Sequence, residues 1–495
     1  MSSNSTQIIQ QIHHDFKNLV EYVTDEASQS RTAYEVELTL FRRLLALGAQ
    51  LLRLFFVRRA DVRPSEPIAL DGTRLTYQEK RPTTYFSVFG KVRFRRHYFH
   101  APGQKGVWPL DAELSLPSRC YSDLLRDWAE YCTTSESYDE SNGVLKRILG
   151  LSISKQALET AVQDDAVDVG AFYEQKDGPS RENEGSILVI QADGKGVPMV
   201  RTESANQPAR RGKGQKRIKK KEAVVTAMYT IAPYPRTPQQ VAAALMRDLE
   251  RDKEPERTST RPQRPAPVGK EVRATLQGKD FALERLVRRV AQREGGHIQQ
   301  RAALTDGDKA LQTRVLSNFP GFELVLDIIH VSEYLWDAAN ALFGETHPDR
   351  TVWVKDQLLQ ILSGTTTAVI QTLETLVQDP STSPAQRQVL NTTMGYYRRN
   401  LPYMHYDQYL DRGWPISSGV VEGACGHLVK DRMEQSGMRW TKSGAQAILD
   451  LRAVRVNDDW DAYQCFHRQG QHQRLYGSHP NASPVIETIV LKQAA

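Results

Sequence analysis

Apolar residues in the first third of the chain recur mainly at helical spacing. Residues 6–57 place an apolar residue every three or four positions, which predicts two amphipathic helices, the second beginning near Arg31. These helices serve either dimerisation or the covering of a core. Residues 145–162 predict a helix, a glycine turn, a serine cap and a second helix. This order is typical of a helix-turn-helix, but helix pairs of this kind are also common in regions that touch no DNA.

The period changes to two between residues 85 and 100, which predicts a β-hairpin that turns near Gly90. One face of its second strand is almost entirely basic, comprising Lys91, Arg93, Arg95 and His97. Either this face contacts phosphates, with Arg93 and Arg95 as the candidates, or it is a solvated face that discourages edge pairing.

The second half of the chain carries the patterns of buried strands. They are centred near residues 187, 198, 225, 303 and 325. The first is expected to end at Asp193 and to return after a glycine turn, and the fourth is expected to end at Asp306. Residues 251–270 are charged and rich in proline, which predicts a loop or linker.

These patterns predict a mixed α/β protein with five segments. They are a mainly helical N-terminal region with the hairpin (1–174), a strand-rich part (185–330), a run of helices with no clear strand (331–412), a helical segment that carries Glu422 (413–460) and a C-terminal tail (461–495).

The composition agrees with several domains in a soluble protein. The chain has 495 residues, 40% of them hydrophobic and 25% charged, with a net charge of +6. Four scattered cysteines form no CxxC pair, which argues against a disulfide scaffold or an obvious zinc site. A reducing cytoplasm is therefore the expected location. No secretory signal opens the sequence, and the apolar stretch at 44–57 is too short and too charged to span a bilayer.

Residues 210–221 form a strongly basic segment, with eight lysines and arginines in twelve positions. A basic loop between two strands suits phosphate neutralisation, although an ordinary solvated loop is the alternative. The candidate DNA contacts in this segment are Arg210, Arg211, Lys213, Lys216, Arg217, Lys219, Lys220 and Lys221.

Three acidic residues are placed to meet at one site. Asp193 and Asp306 each follow a predicted strand, and ligands bind at such strand ends in open α/β sheets. Glu422 follows a helix entrance at Ser417 and Ser418, at the edge of an apolar stripe. Any one such acid is more simply a turn residue or a helix cap. Three together match the order of an RNase H-like core, whose carboxylates suit two Mg²⁺ or Mn²⁺ ions.

Other acids compete with two of these three. Asp308 is equally charged and lies two residues after Asp306, but it is expected to cap the following helix. Asp431 and Glu434 lie near Glu422 and are more simply explained by local ion pairs.

The chain resembles bacterial insertion-sequence transposases of the DDE class, most closely the ISKra-type family. The most specific motifs are Pro-Ile-Ser-Ser-Gly-Val-Val-Glu-Gly-Ala-Cys at 415–425 and Lys-Asp-Arg-Met-Glu-Gln-Ser-Gly-Met-Arg-Trp at 430–440. Asp193 in Ala-Asp-Gly-Lys-Gly and Asp306 in Thr-Asp-Gly-Asp match the first two acids of that family. Relatives carry a cysteine pair before Pro-Leu-Asp, which residues 100–111 lack, so no zinc knuckle is expected.

The resemblance implies metal-dependent cleavage at the ends of a mobile element and strand transfer into target DNA, by a homo-oligomer on DNA. It also implies that residues 185–330 and 413–460 form an RNase H-like catalytic core, that residues 331–412 are an all-α insertion in this core, and that residues 1–174 are a DNA-binding or oligomerisation region. Asp193, Asp306 and Glu422 would bind the metal ions. His330, in Asp-Ile-Ile-His at 327–330, would orient water or a phosphate, or be a core histidine. Trp440 would stack on a base or be part of the core. The remaining DNA-contact candidates are Lys195, Arg432 and Arg439. A nuclease without strand transfer and a transposase-derived DNA-binding regulator are the alternative functions.

Overall fold

A computed structural model describes residues 3–26, 30–67, 69, 72–200, 220–246, 264–435 and 437–477. The chain divides into two compact units, one formed by Met1–Phe172 with Asp458–Ala495 and the other by Tyr173–Asn457. No helix in the described ranges has both the length and the apolar character needed to cross a membrane.

The described residues form helices in both units and strands in two sheets, numbered in chain order. The helices are α1 (Ser3–Thr24), α2 (Ala33–Asp61), α3 (Pro109–Glu113), α4 (Asp123–Thr133), α5 (Tyr138–Leu149), α6 (Lys155–Asp165), α7 (Val169–Gln175), α8 (Pro238–Leu245), α9 (Lys279–Arg293), α10 (Lys309–Asn318), α11 (Ile328–Phe343), α12 (Asp349–Leu362), α13 (Thr366–Gln378), α14 (Pro384–Asn400), α15 (Tyr406–Asp411), α16 (Gly419–Ala424), α17 (Asp431–Met433), α18 (Lys442–Val456) and α19 (Trp460–Tyr476). The strands are β1 (Thr76–Ser87), β2 (Gly90–His100), β3 (Ile187–Pro198), β4 (Lys220–Ile231), β5 (Val268–Thr275), β6 (Gln300–Thr305) and β7 (Glu323–Leu326).

The first unit contains the predicted hairpin, which is longer than the sequence indicated. β1 and β2 pair antiparallel and turn at Gly90, whose φ of 120° favours glycine. Phe94 is buried and stacks on Phe56 of α2, with 4.4 Å between ring centroids, while Arg93 is exposed. The alternation then shifts by one residue, so that His97 is buried instead of lying on the exposed basic face. The basic face is therefore shorter than predicted.

The helix pair in the same unit has the predicted order. Helix α5 ends at Gly150, whose φ of 71° is left-handed, and the Ser154 side chain accepts from the Ala157 N–H at the start of α6.

The segment treated as a polar tail begins with helix α19, and a buried charge network ties this helix to the first unit. Arg126 of α4 pairs with Asp165 of α6, and both side chains are buried. His467 of α19 lies 3.1 Å from Asp165 and 2.7 Å from Asp168. Burial lowers the pKa of His467, but the hydrogen bonds to these two carboxylates outweigh it and raise the pKa to about 9.

The second unit is built around a five-stranded sheet in the order β5-β4-β3-β6-β7. β4 is antiparallel to β3 and to β5, whereas β6 and β7 run parallel to β3. Every strand except β4 therefore runs in the same direction. Apolar clusters cover both faces, one with helices α9 and α10 and the other with helices of the insertion.

One sequence prediction about this sheet is wrong, and another is wrong at its C-terminal end. β3 does not turn back after Asp193 but continues through Gly194 and Gly196 to Pro198. A Cβ at Gly194 would lie 2.4 Å from the Glu222 carboxylate of the neighbouring strand, so the glycine permits a close approach and does not mark a turn. Of the predicted loop at 251–270, residues 251–263 lie outside the described residues and residues 264–267 form no helix or strand, as expected, but residues 268–270 belong to strand β5, which begins at Val268.

Residues 331–412 are helical wherever they form regular structure, as predicted, and they support the sheet directly. Tyrosine hydroxyls from these helices donate to carbonyl oxygens at strand ends, each over 2.8 Å: Tyr396 to Asp306 and Tyr406 to Leu326. The ring of Tyr396 also stacks on Tyr334, with centroids 4.0 Å apart.

Candidate active site

The parallel pairing of β3 with β6 aligns the first two candidate acids. Gln191 is paired with Leu304, and continuing this register by two residues places Asp193 beside Asp306. Burial and then the charge of Asp193 raise the pKa of Asp306 against the hydrogen bond from the Asp308 N–H, which lowers it. The predicted pair therefore meets at one edge of the sheet.

The turn after Asp306 is held from both sides. Asp306 Oδ1 accepts from the Asp308 N–H over 2.9 Å, and the Asp306 carbonyl accepts from Tyr396. Between them Gly307 has a φ of 93°, and a Cβ there would lie 2.8 Å from the Tyr396 ring. Asp308 caps α10 by accepting from the Leu311 N–H and pairs with Lys279 at 3.2 Å. The prediction that Asp308 is a cap is confirmed.

The helix that carries Glu422 is anchored differently from the prediction. The Ser418 hydroxyl does not cap its own helix. Instead the Ser418 hydroxyl and N–H both donate to Asp327 Oδ2, with the nitrogen 3.1 Å away. Asp327 also caps α11 by accepting from the Ile329 N–H over 2.8 Å. One buried carboxylate thus joins the starts of α11 and α16.

A second anchor comes from strand β3 itself. Gln191, which is 1% exposed, accepts from the Val421 N–H over 2.9 Å and donates to the Ser417 carbonyl over 3.4 Å. Because Gln191 is two residues before Asp193, the strand that carries the first acid also fixes the first turn of the helix that carries the third.

The predicted helical stripe is confirmed, but the environment expected for Glu422 is wrong. Val421, Ala424 and Leu428 are buried, whereas Glu422 is exposed and does not lie at the edge of the buried face. The Glu422 side chain therefore lies on the exposed side of the helix, next to the buried stripe.

A cysteine lies between the first and third acids. Cys425 follows Glu422 by one helical turn and donates to Asp193 Oδ2, with 3.3 Å between sulfur and oxygen. It begins a π-helical segment, Cys425–Lys430, a conformation that is frequent at functional sites. Burial, followed by the Asp193 carboxylate, raises the pKa of the Cys425 thiol, and the Glu422 charge contributes in the same direction.

His330 lies in the first turn of α11, the helix that follows β7. Its Nδ1 is 2.9 Å from Glu333 Oε2. Burial lowers the pKa of His330, but the carboxylates of Asp327, Glu333 and Asp306 outweigh it, and the net pKa is raised. His330 therefore belongs to the electrostatic environment of Asp306.

The acids form a partly assembled site. In the part of the chain that the structure describes, neither Asp193, Asp306 nor Glu422 forms an ion pair. Within the same ranges, no three histidine, cysteine, aspartate or glutamate side chains are close enough together to hold a metal ion. The geometry places the carboxylate oxygens of Asp193 and Asp306 next to each other at one edge of the sheet.

The residues predicted to contact DNA differ in their exposure to solvent. Arg93, Arg95 and Arg439 are exposed, and Lys195 and Lys221 are half-buried. Lys220 is exposed but pairs with Glu434 at 2.5 Å. The remaining basic candidates, Arg210, Arg211, Lys213, Lys216, Arg217 and Lys219, lie outside the described residues.

The structure argues against DNA contacts by Arg432 and Trp440. Arg432 is fully buried and lies 4.7 Å from the Trp440 ring centroid. Trp440 is 7% exposed, and its indole N–H donates to the Met433 carbonyl over 3.2 Å. Its backbone also pairs with Pro198 and Val200. Trp440 closes the end of β3 as part of the core, which is the alternative that the sequence left open.

Three positions that shape the site were not singled out by sequence reasoning, namely Gln191, Cys425 and Tyr396. A polar residue inside the apolar run Leu-Val-Ile-Gln-Ala was the available signal for Gln191. The spacing of one helical turn from Glu422 was the signal for Cys425. Tyr396 had none, because its contact with Asp306 joins positions far apart in the chain.

Comparisons with known proteins show that the chain is similar to a family model and to an individual protein. Residues 34–211 match the model of an uncharacterised protein family, UPF0236. The chain is also similar to a protein described as "UPF0236 protein in vanSb 3'region" from Streptococcus gallolyticus. The two are 22% identical over 413 residues, which cover 82% of this chain and 79% of that relative. The similarity to this UPF0236 protein thus extends through both units.

Proposed function

We propose that this chain is a DDE-type transposase that cleaves DNA at the ends of an insertion sequence and joins them to target DNA. The observation that carries the proposal is the alignment of Asp193 with Asp306, together with the hydrogen bond from the Val421 N–H to Gln191 that ties the helix bearing Glu422 to the strand bearing Asp193. A sheet whose second strand alone is antiparallel, with an acid-bearing helix late in the chain, is the arrangement expected of an RNase H-like core. The motifs around these acids support the same assignment.

Two divalent cations of the Mg²⁺ or Mn²⁺ type are the expected cofactors, and the carboxylate oxygens of the adjacent Asp193 and Asp306 are hard donors that suit such ions. Burial and then the charge of Asp193 raise the pKa of Asp306, and a bound cation would favour the ionised form of this carboxylate. Asp193, Asp306 and Glu422 would hold the ions, which when bound supply Lewis-acid stabilisation of a phosphoryl transfer.

The chain's own residues would position and bind. Gln191 and Asp327 fix the helix start, and Tyr396 fixes the turn at Asp306. His330, drawn toward its protonated form, would attract a phosphate or orient water. The exposed Arg93, Arg95 and Arg439 would contact the DNA backbone, as would Lys195.

The test is cleavage of a plasmid that carries the coding sequence with its native flanking DNA, in Mg²⁺ or Mn²⁺. Asp193→Asn, Asp306→Asn and Glu422→Gln should each abolish cleavage while DNA binding remains. Asp308→Asn is the matched control, because asparagine also caps helices. Full cleavage by any of the first three variants would remove that residue from the site, and loss with Asp308→Asn would identify a different second acid.

The products separate the alternatives. Joined strands indicate a transposase, and cut strands without joining indicate an RNase H-like nuclease. Binding without cleavage by the wild type would favour a transposase-derived DNA-binding regulator.

A further inference from the structure

The thiol of Cys425 has a specific place in the candidate site. It is 4% exposed and donates to Asp193 Oδ2 over 3.3 Å. The other oxygen, Asp193 Oδ1, accepts from the Gly194 N–H over 2.6 Å. The two contacts hold both oxygens of the carboxylate and so fix its orientation.

The helix changes from α-helical to π-helical geometry at Cys425. The segment Cys425–Lys430 is π-helical, which leaves its carbonyl groups without the regular α-helical pattern. Arg452 of α18 donates to the Leu428 carbonyl over 2.8 Å and also to the His427 carbonyl. The buried arginine thus stabilises the widened turn immediately after Cys425.

We propose that Cys425 is a positioning residue that orients the Asp193 carboxylate for cation binding and couples its orientation to the helix that carries Glu422. Cys425 is one turn from Glu422 on the helix and hydrogen-bonded to Asp193 on the strand. A shift of either element would therefore break the hydrogen bond, so the thiol keeps the first and third acids in register. This inference rests on the proposed function of the same site.

The size of the effect follows from what such supporting contacts do. Residues that hydrogen-bond to ligating carboxylates typically change metal affinity or activity by about 10- to 100-fold when removed. The hydroxyl of serine also donates a hydrogen bond, whereas alanine cannot. Serine should therefore preserve the function of the thiol, and alanine should lose it.

The experiment compares Cys425→Ala and Cys425→Ser with wild type and with Cys465→Ala, a cysteine on α19 outside the site. Mn²⁺ binding is measured by calorimetry without DNA, and cleavage of the plasmid substrate gives kcat and KM. Cys425→Ala should weaken Mn²⁺ binding about tenfold and lower kcat similarly with KM for DNA unchanged. Cys425→Ser and Cys465→Ala should remain within about twofold of wild type, because each retains a donor beside Asp193.

Each outcome has a defined meaning. If Cys425→Ala binds Mn²⁺ and cleaves like wild type, the inference fails and the proposed function stands. If alanine and serine variants are impaired equally although folded, packing rather than hydrogen bonding is responsible, and the inference also fails. If wild type binds Mn²⁺ through Asp193 but cuts no DNA, the proposed function fails while the Mn²⁺ affinities still decide the role of Cys425. Absence of both binding and cleavage would overturn both.

Discussion

The Ser418 N–H and hydroxyl both donate to Asp327 Oδ2, while Asp327 Oδ1 accepts from the Ile329 N–H. This buried carboxylate is shared by the start of α11, which follows β7, and the start of α16, which carries Glu422. Two segments about ninety residues apart in the chain are thereby held at the sheet edge where Asp306 lies.

Asp327→Ala should destabilise the protein and impair the site together. It removes a helix cap, which contributes about 1 kcal/mol, and leaves the buried Ser418 N–H unsatisfied, which costs about 1–3 kcal/mol. We expect a loss of about 3 kcal/mol in the free energy of unfolding, measured by urea denaturation. Asp349→Ala, in the first turn of α12, should change it by less than about 0.5 kcal/mol. Equal effects of the two substitutions would contradict the shared-carboxylate role.

Gly307→Ala should disturb the turn at Asp306. The glycine has a φ of 93°, and a Cβ would lie 2.8 Å from Tyr396. We expect a loss of about 1–3 kcal/mol in stability and slower cleavage, because Tyr396 would lose its contact with the Asp306 carbonyl. Gly395→Ala is the control, since it lies in α14 with no atom near its Cβ position, and it should stabilise the protein by up to about 1 kcal/mol.

Asp306→Asn should reveal a conflict between stability and the proposed activity. Burial and the charge of Asp193 raise the pKa of Asp306, so the folded state binds its proton more tightly than the unfolded chain. The free energy of unfolding therefore falls as pH rises from the ordinary pKa of aspartate, about 4, to the raised pKa of Asp306 in the folded state. Above this range the ionised Asp306 destabilises the folded protein. The asparagine variant should be more stable than wild type near neutral pH, with the difference shrinking toward about pH 4. A variant less stable than wild type at neutral pH would show that the charge is compensated.

His467 should make the first unit sensitive to alkaline pH. Its pKa is raised to about 9 by Asp165 and Asp168, against the effect of burial. The stabilisation, about 3 kcal/mol from a shift of this size, is fully present below about pH 6.5 and lost as pH rises through about 9. Chemical denaturation from pH 6 to 10 should show wild type approaching His467→Gln at the alkaline end. His13→Gln, on the exposed side of α1, should follow the wild-type profile throughout.

Arg93→Ala should weaken DNA binding in a salt-dependent way. Arg93 is exposed on β2, and a single phosphate contact contributes about one unit to the slope of log affinity against log salt. Fluorescence anisotropy over a salt series should show the slope reduced by about one. Lys17→Ala, a similarly exposed cation on α1, should leave it unchanged. An unaltered slope for Arg93→Ala would make the basic hairpin face a solvated surface, which is the alternative reading.

The neighbouring placement of two of the three candidate acids could be predicted from the sequence because it depends on local signals. Asp193 and Asp306 lie after short buried runs, and the cap formed by Asp308 depends only on the next few residues. The proximity of Asp193 to Asp306 required only the additional assumption that the two strands are parallel neighbours. Local sequence patterns therefore suffice to place Asp193 and Asp306 at the ends of buried runs. One assumption about strand order is enough to predict that the two residues are neighbours.

Predictions were wrong where a charged side chain is buried against a partner that lies far away in the sequence. Strand β5 was not predicted, and its first three residues were placed in the linker at 251–270 because that stretch is charged. Glu271 of this strand is buried and pairs with Arg289 of α9 at 2.8 Å. Arg432 was expected to face DNA and is buried beside Trp440. An isolated charge in a sequence predicts solvent exposure, and only the folded chain reveals the compensating partner.

The tyrosines of the helical insertion have a consequence for how this protein can change. Tyr396 and Tyr406 donate to carbonyl oxygens at the ends of two parallel strands, and the apolar residues around them belong to the core of the sheet. The helices of the insertion are therefore part of the hydrophobic core of the second unit and not an independent domain. A shortened descendant would need new donors and a new apolar cover for those strand ends, so loss of the insertion in one step is incompatible with a folded core.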